Sequence, residues 1–188
     1  MWEDIKSQMN HMLQGVAYWM AYKDEVISFD LKEADIVSKA TSILSARLSD
    51  YSVKREVDYS IIDHTFQKQK KYADLALFSR ANGSCEFVIE FKLGDNYNGG
   101  YKEDIKKVND IKRNKQNVTC LVVIAFRKNC TNKVLKYYVT KEGNAKNGVI
   151  KNIPGMPDIK VKVRRVCMAT GTKNGKGKMK KVICLEVL

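Results

Sequence analysis

The chain lacks an apolar run approaching the ~20 residues that a membrane-crossing helix needs, so no membrane partner is expected. Its N-terminus lacks a basic segment followed by an apolar one and carries Glu3 and Asp4 instead, which argues against a secretion signal. No two of its five cysteines are spaced as CxxC, and their number is odd. Neither a zinc site nor a disulfide framework is expected. Cys85, Cys120 and Cys184 lie in apolar β-like runs and read as buried reduced thiols of a cytoplasmic protein. The two histidines, His11 and His64, are too scattered for a His-rich metal site. Internal repeats and long linkers are also missing. One domain over residues 1–188 is expected, with an N-terminal helical segment (1–30), a core (31–126) and a basic β-rich extension (127–188).

What the chain does have is positive charge, unevenly placed. Residues 1–50 hold five basic and eight acidic residues, whereas residues 51–188 hold 29 basic and 13 acidic. Residues 51–188 thus carry a net +16 against −3 for residues 1–50, a bias that suits a polyanionic partner such as nucleic acid, although by itself it fits a merely Lys-rich soluble surface about as well.

Apolar periodicity predicts a helix over 1–22 from Trp2, Ile5, Met9, Met12, Leu13, Val16 and Met20. A second helix is predicted over 31–48, with Asp30 as N-cap and Glu33 as its N3 partner. Strands are predicted over 52–58, 72–79 and 85–92, the last two joined by a turn containing Asn82-Gly83. A helix follows over 101–114, then an apolar run, 118–126, of the kind buried on both faces of a sheet. Residues 133–140 fit a strand or a short helix, and 143–155 read as a loop. Strands over 159–169 and 179–188 flank a Gly/Lys turn and form a closing hairpin. The class is α/β, with a mixed central sheet flanked by helices.

Alternation along 85–92 puts Cys85, Phe87, Ile89 and Phe91 on one face and Glu86, Val88, Glu90 and Lys92 on the other. Glu90 and Lys92 then point the same way, about 6–7 Å apart. The hairpin can set Asp74 beside Glu90, giving two carboxylates and a lysine around one point. Phosphodiester hydrolysis needs such a set. Carboxylate oxygens hold Mg²⁺, and a lysine orients or deprotonates the attacking water and offsets transition-state charge.

Asp74, fifteen residues, then Glu90-Phe91-Lys92 resembles the signature of the PD-(D/E)XK nuclease superfamily. The resemblance spans about Leu31 to Phe126, although Ala73 replaces the proline that often precedes the aspartate. It implies a restriction-endonuclease-like core of helix, three-strand meander, helix and further strand. It implies Mg²⁺, with Mn²⁺ as substitute, held by Asp74, Glu90 and the Phe91 carbonyl, and Lys92 serving the water. A further acidic residue from the first core helix is assigned to Glu33, ahead of Asp35 and Glu56. The implied activity is DNA cleavage, favoured over RNA, in defence, restriction or repair; a homodimer suits cutting both strands of a duplex. Candidate nucleic-acid contacts are Lys68, Lys70 and Lys71 before the catalytic strand, and Lys160, Lys162, Arg164, Arg165 and Lys173 in the closing hairpin. Tyr97, Tyr101, Tyr137 and Tyr138 fit either base stacking or packing. Two other readings stay open: a nucleic-acid-binding protein of this fold without catalysis, and an adaptor docking a partner through residues 1–22.

Overall fold

The structure, a computed structural model, describes residues 2–26, 31–67, 71–94, 100–126, 138, 147–173 and 176–188. Helix α1 (Trp2–Val26) and helix α2 (Glu33–Ser45) precede strand β1 (Tyr51–Asp58). A short helix, α3 (Tyr59–Ile62), and a 3-10 turn (His64–Phe66) lead into β2 (Tyr72–Ser79) and β3 (Cys85–Leu93). Helix α4 (Gly100–Asn114) then crosses to β4 (Thr119–Phe126), and β5 (Ile150–Ile153), β6 (Met156–Lys173) and β7 (Lys176–Val187) complete the fold.

The seven strands form one sheet in the order β1-β2-β3-β4-β7-β6-β5. The sheet is mixed, as expected: β3 and β4 run parallel, and the other neighbours are antiparallel. The parallel pair follows from α4, since parallel neighbours need a crossover long enough for a helix. The continuous apolar run of β4 is buried at every position because both its faces are covered. On one face Ala76, Val88, Val122 and Leu185 pack with Ile105 and Val108 of α4. On the other, Leu75, Ile89, Leu121 and Cys184 pack with Met12, Val16 and Ile36 of α1 and α2.

Each residue of the predicted Trp/Met stripe of α1 is buried in that second layer. The stripe is therefore core, which removes the surface that the adaptor reading required. The helix lies against β6 and β7 so closely that a Cβ added at Gly171 would stand 2.6 Å from the Ala21 carbonyl oxygen. Neither backbone can yield cheaply. Gly171→Ala is expected to cost about 1–3 kcal/mol, seen as a lower melting temperature with the circular dichroism spectrum retained; unchanged melting would show that the helix sits less tightly.

Three expectations change. The segment 170–178 is not an open turn: β6 continues to Lys173 and β7 begins at Lys176, because a small, β-tolerant Thr-Gly-Thr run extends the ladder. The predicted loop 143–155 contains β5, whose Ile153 supplies the buried anchor. The second helix begins at Glu33, not Leu31, and its N-cap is Lys32. Asp30 lies outside the described residues, as does 133–140 apart from the buried Tyr138.

Candidate metal centre

The β2–β3 hairpin decides which side chains meet. Near its turn Phe78 is opposite Cys85, but a bulge between Leu77 and Phe78 shifts the register, so that Leu75 is opposite Ile89. One further step sets Asp74 across from Glu90. The bulge also corrects the predicted alternation at the start of β3. Cys85 packs with the Val88 cluster and Phe87 with the other layer, while Glu86 accepts a hydrogen bond from the Tyr51 hydroxyl at 2.8 Å. Glu86 thus has its own partner at the turn end of the strand.

Asp74 and Glu90 sit on the α4 face of the sheet, where the apolar layer gives way to polar side chains. The Asp74 carboxylate accepts the Phe91 N–H at 2.7 Å. Glu90 is only 2% exposed and accepts a hydrogen bond from the buried Tyr59 hydroxyl at 2.5 Å. Burial, then repulsion from Asp74, pushes the Glu90 pKa up to about 8, against the pull of the Tyr59 hydroxyl. Burial also raises Asp74, opposed by the Phe91 N–H and reinforced by repulsion from Glu33 and Asp104. Phe91 itself is buried in the opposite layer, so only its backbone can serve the site.

Lys92 follows at the end of β3. Its ammonium stands 3.5 Å from Glu33 Oε1 and 3.4 Å from Asp104 Oδ2. Burial works against its charge, but these two carboxylates outweigh it and hold its pKa above the ordinary lysine value. The stem is confined as well, since a Cβ at Gly100 would lie 3.1 Å from Lys92 Cε. Glu33 is brought in by the first turn of α2. Because the helix starts at Glu33, the capping role predicted for Glu33 falls to Asp35, whose carboxylate accepts the Lys32 N–H at 2.9 Å. Glu33 is left free to accept the Leu93 N–H at 3.1 Å and to face Lys92. Glu56, in β1 at the position facing Asp74, interrupts the ladder with φ 48° and is exposed.

Asp104 was not anticipated from sequence. It is 3% exposed and holds Lys107 at 2.8 Å as well as facing Lys92. A signal was available: Tyr101, Asp104, Ile105, Val108 and Ile111 share the buried stripe of α4, and a carboxylate in such a stripe needs a partner. Lys107 is held above its usual pKa by Asp104, Glu90 and Asp74, which overcome its partial burial.

Four carboxylates, Glu33, Asp74, Glu90 and Asp104, thus share two ammonium groups. When all are ionised the cluster carries two uncompensated negative charges. Among the described residues no group of three or more His, Cys, Asp or Glu side chains is placed to cage a metal ion. The set instead fits a cation held by one carboxylate pair with water completing its shell, which is how Mg²⁺ is commonly bound. The hard oxygens of Asp74 and Glu90, both raised in pKa by burial, suit that role.

The predicted nucleic-acid contacts do not converge here. Lys68, Lys70, Tyr97 and Tyr137 lie outside the described residues, and of Lys173 only the backbone is described. The Lys71 ammonium lies over the Phe66 ring at 5.9 Å. Arg164 is a packing residue: its guanidinium pairs with Glu186 and lies 5.1 Å from the Trp2 ring. A bulge between Val163 and Arg165 breaks the predicted alternation there. Lys162 faces Glu186 across the ladder, so this basic row lies on the α1 side of the sheet, opposite the Asp74–Glu90 face. Lys160 and Arg165 remain exposed. Tyr101 and Tyr138 are buried packing residues rather than stacking platforms.

A cleft of about 390 Å³ lies at the turn end of the sheet, lined by Gln8, Arg47, Tyr51 and Arg80, away from these carboxylates. No helix among the described residues is long and apolar enough to cross a membrane. No protein-family model matches the chain, and comparison with curated proteins and with solved structures gives no significant match either.

Proposed function

We propose that the protein is a Mg²⁺-dependent nuclease of the PD-(D/E)XK type, hydrolysing phosphodiester bonds in DNA. The observation that carries this reading is the approach of Asp74 to Glu90 on adjacent strands, where the Asp74 carboxylate accepts the Phe91 N–H, with Lys92 further along β3. Asp74, Glu90 and the Phe91 carbonyl would hold the cation. When bound, Mg²⁺ (or Mn²⁺) supplies Lewis-acid polarisation of the phosphate and acidifies a bound water. The chain's own groups do the rest. Lys92, kept protonated by Glu33 and Asp104, donates hydrogen bonds to the attacking water and offsets charge developing on the phosphate. Its charged state favours this orienting and electrostatic role over that of a base. Glu33 fixes Lys92 and the adjoining backbone through the Leu93 N–H.

A second reading, nucleic-acid binding without catalysis, draws on the exposed Lys160 and Arg165, which lie away from the carboxylates. One experiment separates the two. Plasmid, linear duplex, single-stranded DNA and RNA are incubated with the protein in Mg²⁺, Mn²⁺ or EDTA. Metal-dependent cutting is expected, with Lys92→Ala slower by about a hundredfold or more, the scale of losing one transition-state charge partner. Salt-sensitive binding with no cutting in either metal would support the second reading.

A further inference from the structure

We propose that Lys107 and Lys92, bridged by Asp104, form a clamp for the non-bridging oxygens of a phosphodiester, with Lys107 as a substrate-binding residue and Asp104 as the residue that positions both lysines. The inference rests on the nuclease reading and extends it to a residue outside the Asp74–Glu90–Lys92 set.

The two lysines come from different elements, β3 and α4, yet both reach one carboxylate. Asp104 Oδ1 takes Lys107 at 2.8 Å, and Oδ2 faces Lys92 at 3.4 Å. The exposures differ in a telling way. The Asp104 side chain is 5% exposed, but Lys92 and Lys107 are 31% and 37% exposed. The anion is hidden while both lysine side chains stay partly exposed, and a lysine has three N–H donors, so each can donate beyond its contact with Asp104. Asp104 Oδ2 also accepts no hydrogen bond among the described residues, although it is shielded from water. An oxygen left so is costly unless it holds a neighbouring cation in place.

The position suits a phosphate. Lys107 is held at Asp104, and its charge interacts favourably with Glu90 and Asp74 as well, so it lies within electrostatic reach of the carboxylate pair. A phosphodiester engaging a cation on that pair would carry its remaining negative oxygens toward the two ammonium groups. Charge-assisted contacts of this kind are strong and geometrically tolerant for lysine. The clamp would bind any phosphodiester backbone and read no base sequence.

The test measures KM and kcat for cleavage, and separately the affinity for a fluorescent 20-nucleotide DNA in EDTA, for wild type, Lys107→Ala, Lys107→Arg and Asp104→Asn, with melting curves for each. Lys107→Ala is expected to raise KM and weaken oligonucleotide binding about tenfold with kcat less affected, and Lys107→Arg to restore most of the loss. Asp104→Asn should affect both KM and kcat, because it releases both lysines. A purely structural pair would lower the melting temperature and leave KM and affinity unchanged in the folded fraction, which would overturn the clamp. If wild type cuts and Lys107→Ala cuts with the same KM and affinity, the clamp fails and the nuclease reading stands. If wild type binds DNA but never cuts, weaker binding by Lys107→Ala supports the clamp while the nuclease reading fails. If wild type neither binds nor cuts, both fail.

Discussion

An Asp74→Asn variant is expected to lose metal-dependent cleavage by at least about a hundredfold and, in EDTA above about pH 8 where Glu90 is ionised, to melt at a higher temperature than wild type. The two effects share one cause. Above about pH 8 Asp74 and Glu90 are like charges on adjacent strands, and burial raises the pKa of both. Removing one charge takes away half of the cation's carboxylate pair and relieves the repulsion. Asparagine keeps an oxygen that can still accept the Phe91 N–H, so the local backbone is retained. A carboxylate kept only for structure would behave in the opposite way, its loss lowering stability. A folded Asp74→Asn protein that still cuts at the wild-type rate, or that melts lower above about pH 8, would count against the metal site. Relief of about 1 kcal/mol corresponds to a rise of roughly 2–4 °C for a domain of this size, within reach of scanning calorimetry.

Stability in the absence of metal should fall as pH rises from about 4.5 to 8. Glu90 has an ordinary pKa of 4.5, raised in the folded protein to about 8. The folded state therefore binds a proton more tightly than the unfolded chain. Below the unfolded value both states are protonated and Glu90 imposes no ionisation cost. Between the two values the unfolded chain releases its proton first, and folding stability declines with each unit of pH; above about 8 the loss levels off. Asp74, also raised, contributes with the same sign. The integrated effect is on the order of a few kcal/mol. Glu90→Gln should flatten the profile, since glutamine can still accept the Tyr59 hydroxyl without titrating. Mg²⁺ should stabilise wild type more at pH 8 than at pH 5, because it competes with protons for the same oxygens. Chemical denaturation at several pH values, with and without Mg²⁺, measures all three. Equal pH profiles for wild type and Glu90→Gln would remove Glu90 from the account.

The elements around the site were legible where side-chain period is strong. The alternating β2 and β3, the unbroken apolar β4 and the α4 stripe each carry their own signal, and the Asn82-Gly83 turn joins the hairpin, with Gly83 at φ 71°. The register was less secure. Extending the Phe78–Cys85 pairing without interruption would set Asp74 opposite Ile89, whose side chain points into the α1–α2 layer. The bulge at Leu77/Phe78 shifts the strand by one residue and brings Glu90 across instead. Sequence reasoning set Asp74 beside Glu90 on the general geometry of hairpins; the register that brings their strands together that way is set by the bulge.

By itself the sequence determined an α/β chain with a both-face-buried strand, an apolar α1 stripe, a one-sided excess of positive charge, and the grouping of Asp74, Glu90 and Lys92 on a hairpin. These properties are local, depending on residues within one strand, helix or turn. Tertiary structure decided the rest. It placed Asp104 and Lys107 beside Lys92, brought Glu33 to the Leu93 N–H and to Lys92, turned Arg164 toward Trp2 and Glu186, and put the basic row on the far side of the sheet. Each of these depends on which face of one element meets another across more than ten residues of intervening chain. Periodicity records that a face is buried or charged; only packing selects the neighbour that covers or neutralises it.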